Sequence, residues 1–141
     1  MTISQNRQFE LPSKLHRQPV EISQLVYDAE IACLQETNLG QQGSFRVAGY
    51  SAVYNREGHG QTIHIKSSIK FRKLDVSRWT TDDLHLVAVE LAEQPVRNVV
   101  NVYARNSSMD TNKWMSLEDM CQVLPGKTVL VGDFNARGAS W

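Results

Sequence analysis

Twice in this chain a helical pattern runs straight into a short apolar strand, and that pairing constrains the fold more than any other feature. In PVEISQLVYDAE, Ile22, Leu25, Val26 and Ala29 recur at i, i+3, i+4 and i+7, the spacing of an amphipathic helix. Pro19 suits its first turn, and the buried-strand pattern IACLQ follows directly. In SLEDMCQVL, Leu117, Met120, Cys121 and Leu124 repeat the spacing, Ser116 and Asp119 are placed for a capping box, and Pro125-Gly126 closes the helix. The apolar run TVLVGD comes next. Helices that each lead into an apolar strand predict a mixed sheet with helices on one face, and both strands should be central in it.

The stretch between them reads as strands. FRVAGYSAVYN forms one or two around Gly49. TIHIKSSIKF alternates at period two, with Ile63 and Ile65 on one face and His64 and Lys66 on the other, the second face expected to meet solvent. LHLVAVEL and NVVNVYA are two further strands, separated by the turn AEQPVR. A first strand in TISQ is barely visible. The fold class is α/β. At 141 residues, with 41% apolar and 21% charged residues, the chain has the length and composition of one ordinary folded domain.

Fifteen basic and fifteen acidic residues cancel, which excludes a globally basic surface but not a local patch. Cys33 and Cys121 sit inside apolar patterns without CxxC spacing, so free buried thiols are expected rather than a zinc site. No apolar run approaches the length of a membrane span. MTISQNRQFE has no apolar signal core, so an intracellular protein is expected.

Both apolar strands finish in a carboxylate: IACLQ runs into Glu36, and TVLVG into Asp133. In an α/β sheet, ligands collect at the carboxyl ends of such strands. If the two strands are parallel neighbours, or nearly so, the carboxylates share one rim and suit a hard, oxygen-liganded cation such as magnesium. The alternative is that each is a solvated loop residue or a helix cap.

Two motifs carry more specific information. LQET (34–37) and GDFNA (132–136) resemble the best-known motifs of the endonuclease/exonuclease/phosphatase superfamily. In order between them, GHGQTIHIKSSIK and VVNVYARNSS resemble the glycine-rich turn and the tyrosine strand of the endonuclease domains of non-LTR retrotransposons, and VLPGKTVLVGDFNARGASW resembles their nuclease motif closely. The similarity covers nearly the whole chain. It implies metal-dependent hydrolysis of a phosphodiester, with Mg2+ (or Mn2+) as cofactor and DNA as substrate. By that resemblance Glu36 is the metal ligand, Asp133 acts near the attacking water or the leaving group, and Asn135 and Tyr103 bond the scissile phosphate. Asn6 matches the asparagine that ends the family's first strand and is a second candidate for the metal, although Gln5 stands where the family has an aromatic or apolar residue.

Lys66, Lys70 and Arg72, with Lys73 and Arg78, form the main basic cluster. They are either contacts to DNA phosphates or the solvated charges of an edge strand. Lys14, His16 and Arg17 form a smaller group with the same ambiguity. Trp79 and Trp114 either stack on bases or, the favoured reading, pack in the core or anchor loops, and Trp141 reads as structural.

The resemblance also implies a histidine base, oriented by an aspartate, in a Ser-Asp-His motif. None of His16, His59, His64 and His85 follows Ser-Asp, and all precede GDFNA. The expectation is therefore an N-terminal half of a two-sheet, four-layer sandwich, with one sheet encoded and its inner face open. Residues 1–141 would be a truncated endonuclease domain, inactive alone, from a polypeptide that could also carry a reverse transcriptase domain. Two other readings stay open: a non-catalytic remnant with weak or no nucleic-acid binding, and another phosphoesterase of the superfamily, phosphatase-like or sphingomyelinase-like.

Overall fold

The computed structural model describes residues 2–4, 8–9, 30–105 and 109–135. Its strands are β1 (Thr2–Ser4), β2 (Gln8–Phe9), β3 (Ile31–Gln35), β4 (Tyr50–Asn55), β5 (Gln61–Lys66), β6 (Phe71–Leu74), β7 (Leu84–Leu91), β8 (Asn98–Ala104) and β9 (Thr128–Asp133). Among the described residues, an α-helix, α1, spans Thr111–Val123, and a short 3-10 turn spans Ser77–Trp79. The helix predicted before β3 lies outside the described residues.

The strands form two sheets rather than the single sheet expected. The five-stranded sheet runs β1-β9-β8-β7-β6 and the four-stranded sheet β2-β3-β5-β4. The two apolar strands are each internal, as predicted, but they belong to different sheets. The cause lies at Ser67-Ser68. The period-two run TIHIKSSIKF breaks in a turn closed by Ile69 N–H donating to Lys66 O at 2.9 Å. Thus β5 stays with β3 and β4, while β6 crosses to pair with β7. FRVAGYSAVYN yields one strand; Phe45 and Val47 leave the ladder and cover the outer face of the four-stranded sheet with Ala32 and Leu34.

The inner faces pack on each other. Cys33, Val53, Ile63 and Ile65 of one sheet meet Val87, Val89, Leu91 and Val99 of the other in one cluster. The expected open face is therefore filled from within this chain. Period two sends the alternate residues Leu84, Leu86, Ala88, Val100, Val102 and Leu130 to the other side of the five-stranded sheet, where Leu117 and Met120 of α1 cover them. Burying an aliphatic side chain of this kind stabilises by roughly 1.5–3 kcal/mol.

α1 starts earlier than the sequence pattern indicated. Asp110 is the cap, its Oδ1 accepting from Lys113 N–H at 2.8 Å. Ser116 falls in the middle of the helix, and Asp119 accepts from Trp79 Nε1 at 2.7 Å, so the predicted capping box does not form. Cys33 and Cys121 are free, and burial pushes the Cys33 thiol up to about 12. Among the described residues no helix is long and apolar enough to cross a membrane.

Candidate functional site

The inward face of β8 carries Val99, Asn101 and Tyr103, because side chains of one strand face repeat every second residue. β9 runs parallel to β8 with Asp133 beside Tyr103. Gly132 makes that pairing possible: a Cβ there would lie 1.9 Å from Val102 O, and its φ of 152° sits at the edge of the region that favours glycine. This is why the apolar run of β9 stops at a glycine. Asp133 Oδ1 then accepts from Asn135 N–H at 2.8 Å, an Asx-type turn that holds Asn135 at φ 48°. Between them Phe134 turns to the helix side and stacks on Trp114, with ring centroids 5.8 Å apart.

Glu36 reaches the same place from the other sheet. Cys33 and Gln35 face the five-stranded sheet, and Ala32 and Leu34 face outward. Strict alternation would send Glu36 outward as well. Instead its backbone turns left-handed at φ 53°, and the carboxylate comes back across the rim to accept from Tyr103 Oη at 2.7 Å. The turn is held by Asn38 Nδ2 donating to Glu36 O at 2.9 Å and by Asn38 N–H donating to His59 O at 2.8 Å. A non-glycine residue at positive φ is strained, and such strain concentrates where a side chain must be aimed.

Burial holds the Tyr103 phenol protonated well above its ordinary range. The Glu36 hydrogen bond and the Glu36 and Asp133 charges act in the same direction, and the Arg105 guanidinium opposes them. Tyr103 is therefore a hydroxyl donor to Glu36, with Asp133 beside it in the strand register. His85 lies edge-on to it, with ring centroids 6.3 Å apart, and donates from Nε2 to Asp82 O at 3.1 Å. His85 Nδ1 and Arg105 Nε are buried without hydrogen-bond partners among the described residues.

Of the residues singled out from sequence, the fold brings Glu36, Tyr103, Asp133 and Asn135 to one rim. Asn6 lies outside the described residues, as do Lys14, His16, Arg17 and Trp141. Lys66, Lys70 and Arg72 belong to the opposite rim. Lys66 N–H bonds Glu30 O at the start of β3, and Lys70 O accepts from Ala92 N–H just past β7. Arg72 stands across from Glu90 and pairs with its carboxylate at 2.9 Å. Glu90 in turn pairs with Asn98, five residues before Tyr103 along β8, or roughly 17 Å at about 3.3 Å per residue. Lys73 donates to Tyr54 O at 3.1 Å, and Arg78 lies over the Trp79 ring.

His64 corrects an expectation. It is fully buried rather than on a solvent face, with Nε2 at 2.8 Å from Phe45 O and Nδ1 at 3.2 Å from Thr62 Oγ1. The segment that leaves the ladder at Phe45 seals that face.

Sequence reasoning missed Gln35, Gln61 and Asn101. All three are buried polar residues beneath the rim, joined by hydrogen bonds between the sheets. The period-two pattern contained one signal: in NVVNVYA it places Asn101 on the face of Val99 and Tyr103, where an apolar residue would be ordinary.

Beside Tyr103, the described residues of the rim offer the oxygen donors of the Glu36 and Asp133 carboxylates, with Asn135 next to them. Among the described residues no group of three or more His, Cys, Asp and Glu gathers to hold a metal. A small, hard dication such as magnesium needs only one or two carboxylates, completing its shell with water and phosphate oxygens, so the donor set fits it. The model of the endonuclease/exonuclease/phosphatase family matches residues 6–141, and the chain belongs to that family.

Proposed function

We propose that this protein is a magnesium-dependent phosphodiesterase that nicks DNA, of the kind found in non-LTR retrotransposons. Family membership supports phosphoester hydrolysis as the chemistry. The observation that carries the reading to this rim is the hydrogen bond from Tyr103 Oη to Glu36 Oε1, which joins the ends of two sheets beside Asp133. The retrotransposon type and the DNA substrate rest on the resemblance of LQET, NVYARNSS and GDFNARGASW.

Glu36, with Asp133 near it, would hold the divalent ion. A divalent ion held there would supply charge neutralisation at the phosphate and at the leaving oxygen. Tyr103 keeps its proton and donates toward the rim, which suits it to stabilise the more negative transition state. Asn135, fixed by its backbone bond to Asp133, offers its amide to the same phosphate. The 141 residues contain no Ser-Asp-His motif to take the proton from water, so little or no nicking by this chain alone is expected. Lys66, Lys70 and Arg72 stand outside this proposed centre; if they meet DNA, it is at the far rim.

The test is Mn2+ binding by calorimetry together with plasmid nicking in Mg2+, on the natural chain and on Glu36→Ala. Binding that falls at least tenfold in a folded Glu36→Ala variant supports the reading. Unchanged affinity, or nicking that persists without Glu36, overturns it.

A further inference from the structure

We infer that Gln35, Asn101 and Gln61 form a polar clamp between the two sheets that positions the Glu36 carboxylate against Tyr103. Gln35 Nε2 donates to Asn101 Oδ1 at 2.7 Å. Asn101 Nδ2 donates back across the interface to Leu34 O at 3.0 Å and Thr62 O at 2.9 Å. Gln61 Nε2 donates the other way, to Asn101 O at 3.0 Å and His85 O at 3.3 Å, and Gln61 Oε1 accepts from Asn55 Nδ2 at 2.9 Å. The three residues are between 0% and 4% exposed. None of their polar atoms is among the buried atoms left without a partner.

Holding the sheets together does not need these groups. Ile63, Ile65, Val87 and Val99 fill the same interface, and apolar contact serves that purpose without the desolvation cost of amides. Apolar contact is not directional, however, so it leaves one sheet free to settle over the other by fractions of an ångström. The amides remove that freedom. Their bonds end on backbone carbonyls of β3, β5, β7 and β8, so they fix main chain to main chain. The clamp is also adjacent in sequence to what it would position: Gln35 precedes Glu36, and Asn101 lies two residues before Tyr103 on the same strand face. A fully satisfied buried network specifies one arrangement where a greasy interface tolerates several.

The consequence for metal binding rests on the reading of Glu36 proposed above; the consequence for the Glu36–Tyr103 contact does not. The chain is labelled with 3-fluorotyrosine, and the Tyr103 fluorine resonance is assigned by its loss in Tyr103→Phe. Glu36→Gln sets the shift for a weakened contact. Gln35→Met, similar in length without a donor, is expected to fold and to move the Tyr103 resonance toward that of Glu36→Gln, with Mn2+ affinity lowered about tenfold. Val99→Ala, which loosens the same interface apolarly, is expected to leave the resonance in place. Asn101→Ser carries the same comparison should Gln35→Met not fold. A folded Gln35→Met or Asn101→Ser variant with an unmoved Tyr103 resonance overturns the clamp, whatever the metal does. A moved resonance in a chain that binds no Mn2+ keeps the clamp and overturns the metal reading alone.

Discussion

Tyr103 lies on β8 of one sheet and Glu36, 67 residues away in sequence, just past the end of β3 in the other, yet the phenol donates to the carboxylate at 2.7 Å. A hydrogen bond to a charged acceptor contributes roughly 1.5–3 kcal/mol when buried. This rim is only partly buried, so water can replace the lost partner in part. Tyr103→Phe is therefore expected to cost about 1 kcal/mol in urea denaturation, below the scale of a fully buried bond. It should also weaken Mn2+ binding by calorimetry, because Glu36 loses the group that orients it. A Tyr103→Phe protein with unchanged affinity would show that the carboxylate is held from elsewhere.

The left-handed backbone at Glu36 separates stability from function. At φ 53° a side chain costs roughly 1–2 kcal/mol relative to a conformation it prefers, and glycine does not bear that cost. Glu36→Gly and Glu36→Ala both delete the carboxylate and the Tyr103 acceptor. They differ in the backbone term, partly offset by the greater entropy of glycine in the unfolded chain. Glu36→Gly is expected to be the more stable of the two by about 1 kcal/mol, and both are expected to lose Mn2+ affinity alike. Equal melting points for the pair would remove the argument for strain at this position.

His64 gives the protein an acid sensitivity. Its Nε2 donates to Phe45 O and its Nδ1 accepts from Thr62 Oγ1, an arrangement that suits the neutral ring. Burial lowers its pKa from the ordinary 6.5, although the Phe45 carbonyl pulls the other way. A group depressed in this sense keeps its full contribution above the unfolded value. As the pH falls through about 6.5 the unfolded chain takes up a proton that the folded chain refuses, and stability is lost from there down to the folded value. Urea midpoints at pH 7.5 and pH 5.5 should therefore differ more for the natural chain than for His64→Gln. Equal differences would mean that other groups carry the acid response.

Local patterns in the sequence locate most strands and the carboxylates Glu36 and Asp133, because a strand's alternation and a carboxylate at its end are local features; Tyr103 and Asn135 come only from the resemblance of NVYARNSS and GDFNA to the family's motifs. What local patterns could not supply was the assignment of strands to sheets. TIHIKSSIKF keeps its period-two phase on both sides of Ser67, and the turn at Ser67-Ser68 divides it between two layers. Lys66 and Arg72 read in sequence as either phosphate contacts or solvated edge charges, and only strand direction shows that they stand at the opposite rim. His64 was assigned correctly to the face opposite Ile63; whether that face met solvent depended on Phe45, nineteen residues away. The route of Glu36 to Tyr103 was illegible for a related reason: alternation predicts an outward side chain, and the positive φ that reverses it leaves no mark in the residue type.

The start of α1 offers a direct contrast between pattern and structure. Ser116 and Asp119 carry the spacing of a capping box, but Asp110 makes the capping bond, to Lys113 N–H. Replacing a true N-cap aspartate by alanine costs about 1 kcal/mol, and Asp110→Ala is expected to lose that much. Ser116 sits in the helix interior, where alanine has the better propensity, so Ser116→Ala should be neutral or stabilising by a few tenths of a kcal/mol. Asp119→Ala should cost about 1 kcal/mol for a different reason, the loss of the acceptor for Trp79 Nε1, a bond that ties the Ser77–Trp79 turn to the helix. Adding Trp79→Phe separates the two explanations for Asp119. If its contribution passes through the indole, Asp119→Ala costs nothing further in the Trp79→Phe background. If it caps the helix, the full cost remains. Urea denaturation of these variants measures all the terms, and a larger loss from Ser116→Ala than from Asp110→Ala would restore the capping box.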